Sequence, residues 1–363
     1  MENKSLINQL AKLVAIKTYS DNRQANSEAL DLIETWVDKK RSRKRIRNRD
    51  SEILLLGNGN LIRPDIGYLV HVDVVDGKKS QFKLTRKKGR LCGRGVSDMK
   101  FAIPIGIQLL NRAIKEKIDK DVVVAITTDE EVGGAEGSGY LAEQLSFRPK
   151  LLVVPDGGDG FVFINKLKGV VHLLIESKGQ AAHASEPWAG KNALEPLCYL
   201  ATRLANRYRR NNSKPNWKTT INLGCIDGGV STNQVCAEAK MKIDIRFPES
   251  RSVKEILKEV KLLAKKVDLS LRVKLIASGD PCSTDIRQPM VKKFVDLMRE
   301  MLGREPDIQG DAGTTDARYW ARYKIPVIIT KPVGGGIHAD DEWIDVEAMF
   351  KFRDLIWRYI KAL

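Results

Sequence analysis

A chain of 363 residues, 42% apolar and 30% charged, has room for one large domain or two and enough apolar content for a buried core. No window approaches the roughly 18 consecutive apolar residues of a membrane span, and five scattered cysteines without a Cys-x-x-Cys pair argue against a disulfide framework or a thiolate zinc site. The net charge of +16 leaves a polyanionic partner open.

Glu2 and Lys4 lead into Leu6, Leu10, Leu13 and Val14 at helical spacing, without the apolar stretch of a signal peptide, so a cytoplasmic location is expected. A second helical pattern carries Leu30, Ile33 and Val37. The basic run from Lys39 to Arg49 follows, with no interleaved aromatics. It reads either as a solvated helix end and strand or as a polyanion patch.

Apolar runs at Ile53 to Leu56, Ile66 to Val70, Val122 to Ile126 and Leu151 to Val154 alternate with helical stretches at Ala102 to Ile114 and near Gly139 to Leu145. Continuous β-branched runs suit strands covered on both faces, and their alternation with helices predicts an α/β layered domain. From Val170 to Ala277 the order becomes strand, helix, strand, strand, helix, strand, the ferredoxin-like split unit. Its second helix, Val253 to Val267, has one apolar stripe. After Pro281 the α/β character returns, with helix Val291 to Leu302, a helical segment from Asp316, strand Val327 to Thr330 and a final helix from Val346. The simplest organisation inserts a small domain into a larger one.

Several acids and histidines fall where these strands end, which is where open α/β sheets bind ligands. His71-Val72-Asp73 follows one strand, and alternation puts the two side chains on one side, where the carboxylate orients the imidazole. Asp98 ends the glycine-bearing turn Cys92 to Lys100 and would serve equally as a helix N-cap. Glu130 and Glu131 follow Val122 to Ile126. Asp156 follows Leu151 to Val154, with Asp159 as a rival and a plain turn as the alternative. His338 sits in the glycine loop Gly334 to Glu342. Imidazole and carboxylate oxygens suit zinc, and also cobalt or manganese. One carboxylate between two ions, with a histidine and a carboxylate on each, would complete a dinuclear site.

The ordered set His-x-Asp, Gly-Arg-Gly-x-x-Asp-Met-Lys, Asp-Glu-Glu, a later acid and a late histidine resembles the metallopeptidase family of aminoacylases, succinyl-diaminopimelate desuccinylases, acetylornithine deacetylases and glutamate carboxypeptidases. The resemblance extends to Lys178 to Ser185 and to Gly313-Thr314-Thr315-Asp316-Ala317-Arg318. It implies a mixed-sheet zinc-peptidase catalytic domain (residues 1–166 and 280–363) with an inserted ferredoxin-like α+β lid and dimerisation domain (167–279). It further implies two Zn2+ bridged by Asp98, with His71 and Asp156 on one ion and Glu131 and His338 on the other, and Glu130 as general base. Asp73 supports the site. His183 would stabilise the oxyanion, across a homodimer in several members of the family. Arg246 and Asn233 fall where the family binds a substrate carboxylate, Gly313 and Thr314 where it shapes the pocket. His172, outside any motif, reads as structural.

Two departures stand out. Asp76-Gly77 replaces a usual proline, and Phe101 a usual glycine, so Phe101 is expected to alter space behind Asp98 or the packing there. The resemblance also implies a cis peptide between Asp98 and Met99. The expected activity is hydrolysis of an N-acyl amino acid or small peptide. The alternative is a non-catalytic or polyanion-binding protein using the lid and the basic surface, although the intact set of ligands and base speaks against catalytic silence; nucleic acid is not the expected partner.

Overall fold

The structure is a computed structural model that describes residues 2–38, 41–213 and 215–363; Lys39 and Lys40, which head the basic run, lie outside the described residues. The chain forms two compact units, one of Met1–Asn165, Thr284–Gln309 and Thr315–Leu363, the other of Lys166–Ser283 and Gly310–Thr314. Gly313 and Thr314 thus group with the smaller unit.

The larger unit is built on a mixed sheet. Its centre is four parallel strands in the spatial order Val122–Thr127, Ile66–His71, Leu151–Val154 and Val327–Ile329. All four are buried along their whole length, as their unbroken apolar runs require. Because they run the same way, their carboxyl ends share one edge of the sheet. Antiparallel strands flank them: Ser51–Gly57 and then Ser42–Asn48 on one side, and a pairing of Ile329 with Ile164 on the other.

Helices Glu2–Ala15, Ala102–Lys115, Pro289–Leu302 and Val346–Ala362 share one apolar core with these strands. Gly106 lets the second of them approach the sheet, since a Cβ there would lie 2.8 Å from the Tyr68 ring. Pro104 is tolerated because it falls in that helix's first turn. Phe101 is fully buried and meets Phe352 edge to face, ring centroids 6.0 Å apart, so its effect is on packing.

A second, small sheet was not legible in the sequence. It pairs Thr85–Lys87 with Arg90–Cys92, then Trp343–Asp345 and Gly334–Gly335. Its register sets Trp343 opposite Cys92, which lays the loop carrying His338 against the turn carrying Asp98.

The smaller unit has the β-α-β-β-α-β order expected: Gly169–Lys178, Leu194–Asn212, Thr220–Gly228, Glu238–Phe247, Val253–Val267 and Arg272–Gly279. The strands form one antiparallel sheet in the spatial order Thr220–Gly228, Glu238–Phe247, Gly169–Lys178, Arg272–Gly279. Burial alternates along the two central strands, so one face packs against the helices. Ser252 and Glu255 cap the second helix reciprocally. The strand expected from Val235 begins at Glu238, because Val235 bonds instead to Ala182 in the loop that carries His183.

Candidate metal centre

Four loops leave the carboxyl edge of the parallel strands, and each contributes a charged group. His71 is the last residue of its strand and is 2% exposed. Its Nδ1 lies 3.0 Å from the Asp73 carbonyl oxygen and 3.4 Å from the Asp73 carboxylate. The backbone carbonyl, rather than the expected carboxylate, is therefore the closer partner that makes Nδ1 the donor. Nε2 then faces inward, 3.3 Å from Asp98 Oδ1 but not aligned as a hydrogen bond, and is left buried with no partner.

Asp98 offers its second oxygen to the other histidine: His338 Nε2 lies 3.2 Å from Oδ2 and 3.1 Å from Glu131 Oε2. Two donor groups result, His71 with Glu130 and Asp156, and Asp98 with Glu131 and His338, the donor atoms of each within 4.8 Å of one another. Asp98 caps no helix, since the following helix starts beyond Phe101 without a side-chain cap. The Asp98–Met99 peptide is cis. Asp159 is not in either group and instead lies 3.6 Å from Lys331 Nζ.

Electrostatically the site is an excess of buried acid. Burial, then the charges of Asp316, Asp156 and Asp98, push Glu130 well above the usual carboxylate range against the pull of His71. Asp156 is pushed up to about 7 by burial and then by Asp98. Burial also opposes ionisation of Asp98, but the bond to His338 and the nearby His71 imidazole outweigh it and hold this carboxyl well below its usual value. The Asp98 and Glu131 bonds raise His338 to about 10. A cluster of this kind favours added positive charge. An unpartnered, inward imidazole nitrogen and two sets of one imidazole with two carboxylates fit divalent ions such as zinc, cobalt or manganese.

Asp73 does more than expected. Fully buried, it accepts from Ser20 Oγ at 2.7 Å and from the backbone N–H groups of Glu130 at 3.2 Å and Glu131 at 3.0 Å. It therefore fixes the acid pair as well as the neighbourhood of His71.

Other groups were not singled out from the sequence. Asp129 accepts from Ser51 Oγ and from the N–H groups of Glu136 and Gly137, shaping the turn that follows the acid pair. Lys331, 2% exposed, follows the fourth parallel strand, and its position two residues past Ile329 was the available signal. Lys100 is buried and donates to the carbonyls of Leu13 and Ile16, tying the Asp98 turn to the end of the first helix. Glu342 gathers the Asp98 turn itself, accepting from the backbone N–H groups of Gly95, Ser97 and Asp98.

In the smaller unit the candidates lie on the surface. His183 Nδ1 accepts from the Ser185 backbone N–H at 3.2 Å and lies 2.7 Å from Ser185 Oγ, an arrangement that leaves the proton on Nε2. Asn233 stands beside it, its carbonyl accepting from Ala184 N at 2.9 Å. Arg246 is bidentate to Asp244, at 2.8 and 2.9 Å, and Asp244 also lies 3.2 Å from His172 Nε2. With Lys168, Trp217 and Asn222, Arg246 lines a cavity of about 750 Å³. Gly313 N donates to Asp311 at 2.7 Å, and Thr314 Oγ1 is buried without a partner.

Among the described residues no helix is long and apolar enough to cross a membrane. The chain is 26% identical to an acetylornithine deacetylase from Proteus mirabilis, over 93% of this chain and 90% of that protein. It is 24% identical to a succinyl-diaminopimelate desuccinylase from Marinobacter nauticus, over 78% and 79%. A tripeptidase from Staphylococcus aureus shares the fold, with a TM-score of 0.81 at 18% identity, covering 99% of this chain and 98% of that one. The profile of Peptidase family M20/M25/M40 matches residues 67–362, a span that includes all six residues of the two donor groups. The chain therefore belongs to Peptidase family M20/M25/M40 and is a divalent-metal-dependent hydrolase of amide bonds.

Proposed function

We propose that this chain is a dinuclear zinc amidohydrolase that removes the acyl group of an N-acyl amino acid or cleaves a short peptide with a free carboxylate. The observation that carries this reading is Asp98, which turns one carboxylate oxygen toward each of the two histidines. That is the arrangement of a bridging ligand, with His71 and Asp156 on one side and Glu131 and His338 on the other. When bound, the two ions supply a nucleophile at neutral pH and polarise the scissile carbonyl.

Glu130 is not needed to complete either ligand set, although it lies with His71 and Asp156. We assign it to the proton, taken from the attacking water and later delivered to the leaving nitrogen. Asp73 holds its backbone for that task. His183, with a proton on Nε2, donates to the developing oxyanion, and Arg246 with Asn233 receives the substrate carboxylate. Gly313 and Thr314 shape the pocket.

The smaller unit is assigned the role of lid and dimer contact. In support, its two edge strands expose apolar side chains, Leu223 and Ile226 on one, Leu275 and Ile276 on the other. The names of the relatives divide between deacylases of amino-acid derivatives and a peptidase. The test is turnover by metal-free protein reloaded with zinc, cobalt or manganese, screened on acetyl-, succinyl- and formyl-amino acids and on short peptides. Hydrolysis of one class, abolished by chelation and restored by metal, is expected. Turnover that survives chelation would sink the metal mechanism.

A further inference from the structure

Two buried, charged residues outside both donor groups connect the segments that supply them. Glu342 is 2% exposed and Arg94 3%. Glu342 Oε1 accepts from the backbone N–H groups of Ser97 at 2.8 Å and Asp98 at 3.1 Å; Oε2 accepts from Gly95 N at 2.9 Å and Arg94 Nη1 at 3.1 Å. A carboxylate with four such donors is saturated and has little freedom left. Arg94 Nη2 in turn donates to the carbonyls of Asp76, at 3.1 Å, and His338, at 3.3 Å.

Three strand-end segments thus meet at one ion pair: the turn after His71, the turn carrying Asp98 and the loop carrying His338. Gly77, beside Asp76, makes room for it, since a Cβ there would lie 3.1 Å from Arg94 Nε. His338 also needs holding. Its φ of +62° is a backbone conformation that non-glycine residues take at a cost, and Arg94 binds its carbonyl.

We propose that Glu342 and Arg94 form a positioning pair that sets the separation and orientation of Asp98 and His338, and through them the metal affinity and turnover of the site. This rests on the dinuclear reading above. Neither residue touches substrate. Partners that orient ligands typically change metal affinity by about 10 to 100-fold when removed.

The test uses the full chain as wild type, Glu342→Gln and Arg94→Lys, with Co2+ titrated into metal-free protein and followed by its absorption bands. Glu342→Gln should bind cobalt about 10 to 100-fold more weakly, with altered bands. At saturating metal its kcat should fall about tenfold while KM stays within about threefold, because the lost contact acts on the reacting centre and not on binding. Arg94→Lys keeps the charge but cannot reach both carbonyls, so it should show a smaller loss of the same kind. If Glu342→Gln does not fold, Arg94→Lys decides alone. Wild-type affinity and band shape in the folded variants would overturn the proposal while leaving the dinuclear reading intact. A wild type that binds no cobalt would overturn both.

Discussion

Asp73 and Arg246 are both charged groups expected at the site, and the structure holds them in opposite ways. Asp73 is fully buried and takes its three hydrogen bonds from Ser20 and from the backbone of the very residues proposed to act, Glu130 and Glu131. Arg246 is partly exposed and uses two nitrogens on Asp244, two residues away on its own strand. The larger unit therefore preorganises its groups through main-chain donors at strand ends, which cannot rearrange without the sheet. In the smaller unit Arg246 and His183 are satisfied by side chains two residues away, an arrangement that exchanges partners readily when a ligand arrives. Substitutions in the first region should act on metal and kcat, those in the second on KM or on one step alone.

The largest effect is expected at Glu130. Glu130→Gln should lower kcat by about 10²- to 10⁴-fold, the usual worth of a general base, with the metal content unchanged. Metal analysis beside steady-state kinetics checks this. Loss of metal would instead make Glu130 a ligand, in keeping with its place beside His71 and Asp156. Next, His183→Ala should cost about 10²- to 10³-fold in kcat with metal retained, as removal of one oxyanion donor does. A change confined to KM would make His183 a binding group and remove its role at the oxyanion, whereas loss of metal would blur the division between the units. A smaller effect is expected for Arg246→Lys, which loses the bidentate fork but keeps the charge. KM for a substrate with a free carboxylate should rise about tenfold at nearly constant kcat, and the difference should vanish for the corresponding amide.

Why one region was easier to read than the other follows from what periodicity can reveal. The runs Ile66 to Val70, Val122 to Ile126 and Leu151 to Val154 are continuously apolar, so their burial was legible, and with it the strand-end positions of His71, Glu130, Glu131 and Asp156. The strands Arg90–Cys92 and Trp343–Asp345 have three residues each, too few for any period. Yet they bring Glu342 to the Asp98 backbone across 244 positions. Glu342 ends the glycine loop that begins at Gly334, but nothing local marks an acid whose partners are backbone amides far along the chain. In the smaller unit the two-helix, four-strand order was plain, whereas the pairing of Arg246 with Asp244 depends on rotamers that spacing does not specify.

The basic run offers the smallest effect and extends the comparison to the far edge of the larger unit's sheet. Of the run's two readings, the structure favours a solvated edge strand, because acids already answer four of its arginines. Arg45 contacts Asp31 and lies 2.7 Å from Glu52, Arg47 lies 2.9 Å from Glu52, Arg43 3.7 Å from Glu34, and Arg49 3.4 Å from Glu136. Charged side chains on an edge strand also discourage pairing with other chains. Burial pushes the Glu52 carboxyl up, but the bonds from Arg47 and Arg45 outweigh it and hold it below its usual value. A carboxyl lowered in the folded state contributes stability above its unfolded pKa and loses it as pH falls through the folded value. Glu52→Gln should therefore cost about 1 kcal/mol near neutral pH, the upper end for ion pairs screened by solvent, since Glu52 is buried but its arginine partners reach solvent, with the deficit shrinking below about pH 4. Denaturant unfolding of both proteins at several pH values measures it. A deficit equally large in acid would mean that Glu52 contributes by packing and hydrogen bonding alone, and that the arginines of this strand owe it no charge stabilisation.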